Sequence, residues 1–149
     1  MYLVAILVVA AIVLIVGLLR MRHLRRHREL EQHSIDVDEL HALLESKKDI
    51  VVLDVRLPLD LLAHSEIIPG AVRIPPKEVM EDVQLIPKDK ESVLYCTCVS
   101  EKTSRMVVNR ALQLQITRVK FLKGGLAAWK AKGYPVERYD KSFHLDTAV

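Results

Sequence analysis

Ser92-Val93-Leu94-Tyr95-Cys96-Thr97-Cys98-Val99-Ser100-Glu101-Lys102-Thr103-Ser104-Arg105 is the stretch on which the fold turns. Val93, Leu94 and Tyr95 make a short apolar and aromatic run entered from the charged residues Lys88 to Glu91, the pattern of a buried strand that follows a surface loop. From Thr103 a helical period begins. Val107, Ala111 and Leu114 stand one turn apart with Val108 and Leu112 beside them, and Thr103 or Ser104 suits the N-cap. Both cysteines of the chain, Cys96 and Cys98, lie in the polar loop between strand and helix. A thiol is thereby set at a strand's end, facing a helix N-terminus.

A thiol titrates near pH ~8.5 and reacts as its thiolate, so its chemistry depends on what stabilises that charge. The first-turn N–H groups of the helix, the positive end of its dipole, Lys102 and Arg105 all favour the anion, and Glu101 opposes them. On these local residues alone Cys96 reads equally as a reactive thiol or as a small buried hydrophobe that ends a strand.

Further signals lie on either side. Ile50-Val51-Val52-Leu53-Asp54-Val55-Arg56 is an apolar run closed by two charges, Ile68-Pro69-Gly70-Ala71-Val72-Arg73-Ile74-Pro75 carries a turn dipeptide, and Leu122-Lys123-Gly124-Gly125 precedes Trp129, Gly133 and Pro135. Taken with the cysteine loop and in this order, the four segments resemble those of rhodanese-like sulfurtransferase domains, over roughly Ile35 to Val136. The resemblance implies a thiolate at Cys96 that takes up sulfane sulfur as a persulfide, and a loop of Thr97, Cys98, Val99, Ser100, Glu101, Lys102, Thr103 and Ser104 that holds the donor. It implies a small anionic sulfur donor or a protein persulfide, a thiol acceptor, and no metal or organic cofactor. The alternative is a non-catalytic rhodanese-like docking or regulatory module.

The loop departs from the family's pattern. Its usual length separates cysteine and helix by six positions, often with a glycine; here Cys96 lies eight residues before Ser104, Cys98 lies six before it, and no glycine intervenes. Strand end favours Cys96 and loop length favours Cys98, so Cys96 is the expected nucleophile and Cys98 the alternative, able otherwise to resolve a persulfide. Gln115 replaces the glycine that commonly ends the following helix. A phosphatase on a related fold needs an arginine six positions after its cysteine; that position holds Lys102 after Cys96 and Ser104 after Cys98. Cys-x-Cys closes too tight a ring for a structural disulfide, and the six histidines stand at no ligand-like spacing from the pair, which argues against zinc.

Ahead of this domain, Tyr2 to Leu19 carries no charge and is almost wholly Val, Leu, Ile and Ala. As a helix such a run is about 27 Å long, enough for a bilayer core of about 30 Å. Arg20, Arg22, Arg25, Arg26 and Arg28 follow, against Glu29 and Glu31, a net +3 that equals the formal charge of the whole chain. No basic n-region precedes the apolar run and no small-residue cleavage site follows it, so the segment reads as an uncleaved anchor. By the positive-inside rule its N-terminus faces out and the globular part stays cytoplasmic, at an inner or plasma membrane. Contact of the arginines with membrane lipid is expected, nucleic-acid binding is not, and a membrane-protein partner is admitted.

The expected division is a transmembrane anchor over 1–20, a basic juxtamembrane linker over 21–33, the rhodanese-like domain over 34–138 and a tail over 139–149. Within the domain, Asp36 with Glu39 marks a helix start, Ile50 to Leu53 a central strand, Glu78 to Leu85 a helix, and Arg118 to Leu122 a further strand. Strands and helices alternate over short connections, which predicts an α/β fold with a mainly parallel central sheet and helices on both faces. Asp54 and Arg56, at the C-terminal end of a central strand, stand where open α/β sheets gather ligands; a structural ion pair is the competing role. Trp129 is expected in the core.

Overall fold

The structure, a computed structural model, describes residues 2–97 and 101–141. It divides into two compact units, Met1–Gln32 and His33–Val149. The first is a single helix, α1 (Tyr2–Glu31), so the arginine-rich segment expected as a linker is helical and continuous with the apolar run. Its Ile6–Glu31 part is long enough to cross a membrane and contains an 18-residue stretch apolar enough to do so, with a mean hydropathy of 2.1. Ile6, Leu7 and the apolar residues from Ile12 to Leu19 are exposed along it.

The second unit holds β1 (Ser34–Ile35), α2 (Val37–Glu45), β2 (Ile50–Asp54), α3 (Pro58–Ala63), β3 (Glu66–Ile67), β4 (Val72–Arg73), α4 (Pro76–Glu81), β5 (Glu91–Tyr95), α5 (Lys102–Gln113), β6 (Val119–Leu122), α6 (Gly125–Ala131) and β7 (Glu137–Arg138). Five strands form one sheet in the order β1-β6-β5-β2-β4, every pair parallel. β3 and β7 make a separate antiparallel ribbon. The helix expected over Glu78 to Leu85 is two pieces, α4 and a 3-10 turn at Val83–Leu85, split at Asp82, whose carboxylate accepts from the Gln84 N–H at 3.0 Å.

Parallel strands covered on both sides need apolar residues at successive positions, and β2 and β5 supply them. Val52 pairs with Val93, and Leu53 with Leu94, so alternate positions along each strand form layers on opposite faces. One layer gathers Val52, Val93, Tyr95 and Leu122 with Val37 and Leu40 of α2 and Leu126 and Trp129 of α6. The other holds Leu53, Leu94 and Phe121; α5 lies on this side, with the Arg105 guanidinium 4.2 Å from the Phe121 ring centre. Trp129 is in the core as expected, and its indole N–H donates to the Pro135 carbonyl at 2.8 Å.

Following the chain across the sheet shows where a site belongs. From β2 to β4 it moves to one edge; from β5 to β6 it moves the other way. Ligands of open α/β sheets gather at the C-terminal ends of the strands where this reversal falls. Cys96 follows β5, the middle strand.

Candidate active site

Cys96 ends β5 with 1% of its surface exposed. Among the described residues, Leu126 and Ser104 hold it. Its carbonyl accepts the Leu126 N–H at 3.0 Å, from the first turn of α6, and its Sγ lies 3.6 Å from the Ser104 Oγ in the first turn of α5. The approach of α6 is so close that a Cβ built on Gly125 would stand 2.2 Å from the Cys96 carbonyl oxygen. Gly124 and Gly125 both have left-handed backbones, with φ of 69° and 55°. Only glycine takes two such positions in succession without strain and leaves room for a carbonyl.

At the other end of the loop stands Glu101. The expected N-cap, Thr103 or Ser104, is corrected: α5 begins at Lys102, and its N-cap is Glu101, itself left-handed at φ 49° and ψ 23°. Ser104 lies inside the helix, where its hydroxyl donates to the Glu101 carbonyl at 3.0 Å and is turned toward the thiol. The Glu101 carboxylate accepts from the Gly124 N–H at 2.5 Å and from Arg105 Nε at 2.8 Å. It is 8% exposed. The sequence offered this residue as a charge opposing Lys102 and Arg105 and, through the family resemblance, as one of the loop residues that hold the donor; its left-handed backbone and its bond to the β6–α6 turn were not among the expectations.

Of the remaining loop residues, Thr97 is half-buried, with its Oγ1 buried and without a hydrogen-bond partner among the described residues. Thr103 is half-buried, and Lys102 is exposed. Cys98, Val99 and Ser100, the alternative nucleophile and two expected donor contacts, lie outside the described residues.

Asp54 and Arg56 form a buried pair, 1% and 0% exposed. Arg56 Nε donates to both Asp54 oxygens at 2.9 Å, Nη2 to Oδ2 at 2.5 Å, and Nη1 to the His64 carbonyl at 2.7 Å. The Tyr95 hydroxyl donates to Asp54 Oδ2 at 3.1 Å and accepts the Ile68 N–H at 3.3 Å. Burial weakens the Arg56 charge, but bonding to Asp54 outweighs it and holds the guanidinium above its ordinary range. Burial, aided by the Asp54 charge, pushes the Tyr95 phenol well above its ordinary range, so it stays a donor. The network ties the end of β2 to β5 and to the Ile68–Gly70 turn. These polar groups are engaged with one another inside the protein.

This fold, an all-parallel five-stranded sheet with a cysteine at the end of the middle strand and a helix opening beside it, defines a class of small α/β domains. The chain belongs to the rhodanese-like domain family, which it matches over residues 36–132. It is 30% identical over 104 residues to a sulfurtransferase of Allochromatium vinosum, covering 70% of this chain and 94% of that protein. It is 32% identical over 102 residues to the Mus musculus thiosulfate sulfurtransferase/rhodanese-like domain-containing protein 3, covering 61% of this chain and 64% of the mouse protein. Among solved structures, the rhodanese-like domain of an Anabaena protein superposes with a TM-score of 0.61 at 25% identity, covering 78% of this chain and 83% of that one.

Proposed function

We propose that the protein is a membrane-anchored sulfurtransferase that carries sulfane sulfur as a persulfide on Cys96. The observation that supports this most is the setting of that thiol: at the end of the middle strand, 3.6 Å from the Ser104 hydroxyl and before the N-terminus of a twelve-residue helix. The first-turn N–H groups of such a helix have no partner in the preceding turn and present positive charge to an anion. The Cys96 thiolate attacks the outer sulfur of a donor such as thiosulfate; the S–S bond breaks, and sulfite leaves with the electron pair. An acceptor thiolate, or cyanide, then attacks the sulfane sulfur and releases Cys96 as thiolate. No net oxidation occurs within the protein, and no cofactor enters. The backbone from Thr97 to Lys102 and the helix dipole hold the donor and the persulfide.

Intact-mass measurement of the full chain in detergent, after exposure to thiosulfate and separately to a persulfide donor, tests this. The expected result is a gain of one sulfur, ~32 Da, removed by cyanide and abolished by Cys96→Ser. Loss in Cys98→Ser alone would move the nucleophile to Cys98. No adduct in a folded chain would leave a docking module.

The anchor belongs to the same proposal. α1 holds its apolar run exposed and continues without a break into the arginine segment, which suits a span that ends in a basic collar on the cytoplasmic side and meets anionic lipid. The domain then acts at the membrane surface, where a membrane protein is the natural donor or acceptor. Protease protection of the domain in sealed inverted vesicles would refute that orientation.

A further inference from the structure

We propose that Glu101 is a positioning residue, a carboxylate latch that ties the start of α5 to the β6–α6 turn and so sets the Ser104 hydroxyl beside Cys96. The inference deepens the sulfur-transfer reading and rests on it for the identity of the reacting atom, Cys96 Sγ.

Both described ends of the loop hang from one short segment of backbone. Cys96 is held by its carbonyl on the Leu126 N–H, and Glu101 by its carboxylate on the Gly124 N–H. A third link joins the two ends: the Ser104 hydroxyl donates to the Glu101 carbonyl and lies 3.6 Å from Cys96 Sγ. The position of Glu101 therefore decides where the Ser104 hydroxyl beside the thiol is placed. The same carboxylate takes the Arg105 guanidinium, which rests on the Phe121 ring. An arginine in the first turn of α5 is thus drawn onto the sheet face and has its charge matched there, so that the helix N-terminus and Lys102 are left to attract an anion.

The backbone sharpens the inference. A glutamate at φ 49° is strained where glycine is not. A residue needed only to turn the chain would be better served by glycine, so the strain is set against what the carboxylate does. Glu101→Gly then separates the two roles: it relieves the backbone and removes the latch. Glu101→Gln keeps an acceptor for the Gly124 N–H and loses the charge that Arg105 meets, and Glu101→Leu keeps neither.

The test uses the full chain in detergent, with Cys98→Ser in every sample so that one thiol reports. Sulfur loading from thiosulfate is followed by intact mass, carbamidomethylation of Cys96 by iodoacetamide across pH, and unfolding by Trp129 fluorescence. Loss of a hydrogen bond to a charged group corresponds to an effect on the order of tenfold. Expected are loading about tenfold slower in Glu101→Gly and Glu101→Leu and intermediate in Glu101→Gln, with carbamidomethylation at high pH about tenfold faster in the first two as Cys96 is uncovered. Glu101→Gly should do this while folded as fully as the parent. Loading and alkylation at parental rates in folded Glu101→Gly and Glu101→Leu would overturn the latch. A parent that never loads sulfur would instead refute sulfur transfer through Cys96, and the alkylation profiles would still decide the latch.

Discussion

Replacing Gly125 by alanine tests the central contact of the site, the seating of the β6–α6 turn on Cys96. Gly133→Ala is the natural comparison, because both glycines are left-handed, at φ 55° and 74°, but only one is crowded. A Cβ on Gly133 meets nothing within 4 Å. That substitution carries only the left-handed strain, about 1 kcal/mol. At Gly125 the new Cβ would stand 2.2 Å from the Cys96 carbonyl oxygen and 3.2 Å from its carbon, both backbone atoms that no rotamer change can move aside. The turn must back away, which adds about 1–3 kcal/mol of overpacking and forfeits the 3.0 Å bond from Leu126 N–H to the Cys96 carbonyl, worth about 1 kcal/mol. The sum is about 3–5 kcal/mol, and at about 4 °C per kcal/mol for a domain of this size the midpoint falls by on the order of 15 °C, against about 4 °C for Gly133→Ala. Thermal unfolding followed by the chain's single tryptophan, the buried Trp129, reads both. Sulfur loading measured well below the midpoint should be lost in Gly125→Ala alone. Equal midpoints for the two variants would refute the close approach of turn and cysteine.

Arg56→Met leaves the Asp54 carboxylate buried without its partner and should destabilise by about 3–5 kcal/mol in urea; the Asp54→Asn, Arg56→Met double variant should lose much less than the sum of the two singles. Gln115 has φ 63°, so Gln115→Gly should stabilise by about 1 kcal/mol and raise the thermal midpoint by a few degrees; a fall would mean that the side chain compensates for the strain. Glu91 has its pKa lowered from 4.5, chiefly by its hydrogen bond to Lys120, with Lys48 adding to it. A depressed carboxylate contributes stability above its unfolded pKa and loses it as pH falls through the folded value, so Glu91→Gln should destabilise at pH ~7 by about half a kcal/mol, and the gap should close below pH ~4. A gap that widens in acid would contradict the sign.

The elements with strong periodicity were legible in the chain because their burial is two-sided or amphipathic. Ile50 to Leu53 and Val93 to Tyr95 are apolar at successive positions because helices cover both faces of the sheet, and both are central strands. Gly124-Gly125 announced a tight turn, and the structure has one. The start of α5 was misplaced because Thr103 and Ser104 are good caps in isolation, whereas the cap was decided by tertiary partners of Glu101, on Gly124 in another loop and on Arg105 one turn into the helix. No local rule contains such a contact. Asp36 shows the converse: it stands at the N-cap of α2 as its type suggests, yet makes no capping bond with its side chain.

The length of the cysteine loop and the place of its helix can be reconciled. Cys96 and Ser104 are eight residues apart, two more than the usual spacing, yet their side chains lie 3.6 Å from each other. The start of α5 therefore stays beside the end of β5 although eight residues separate Cys96 from Ser104. Parallel strands leave little freedom here, since β5 is paired on both sides and α5 must cover Leu94 and Phe121 on the sheet. Holding a longer, glycine-free loop in so fixed a frame calls for a bond from the loop to the frame. At the α5 end of the loop that bond is the Glu101 carboxylate on the Gly124 N–H. Transplanting a six-position loop with glycine at its left-handed position should make the carboxylate dispensable, and a second substitution of Gly124 by alanine would then affect stability only through its left-handed backbone and its contact with Ala128. Persisting dependence on an acceptor for the Gly124 N–H in the shortened loop would instead tie the latch to the turn itself.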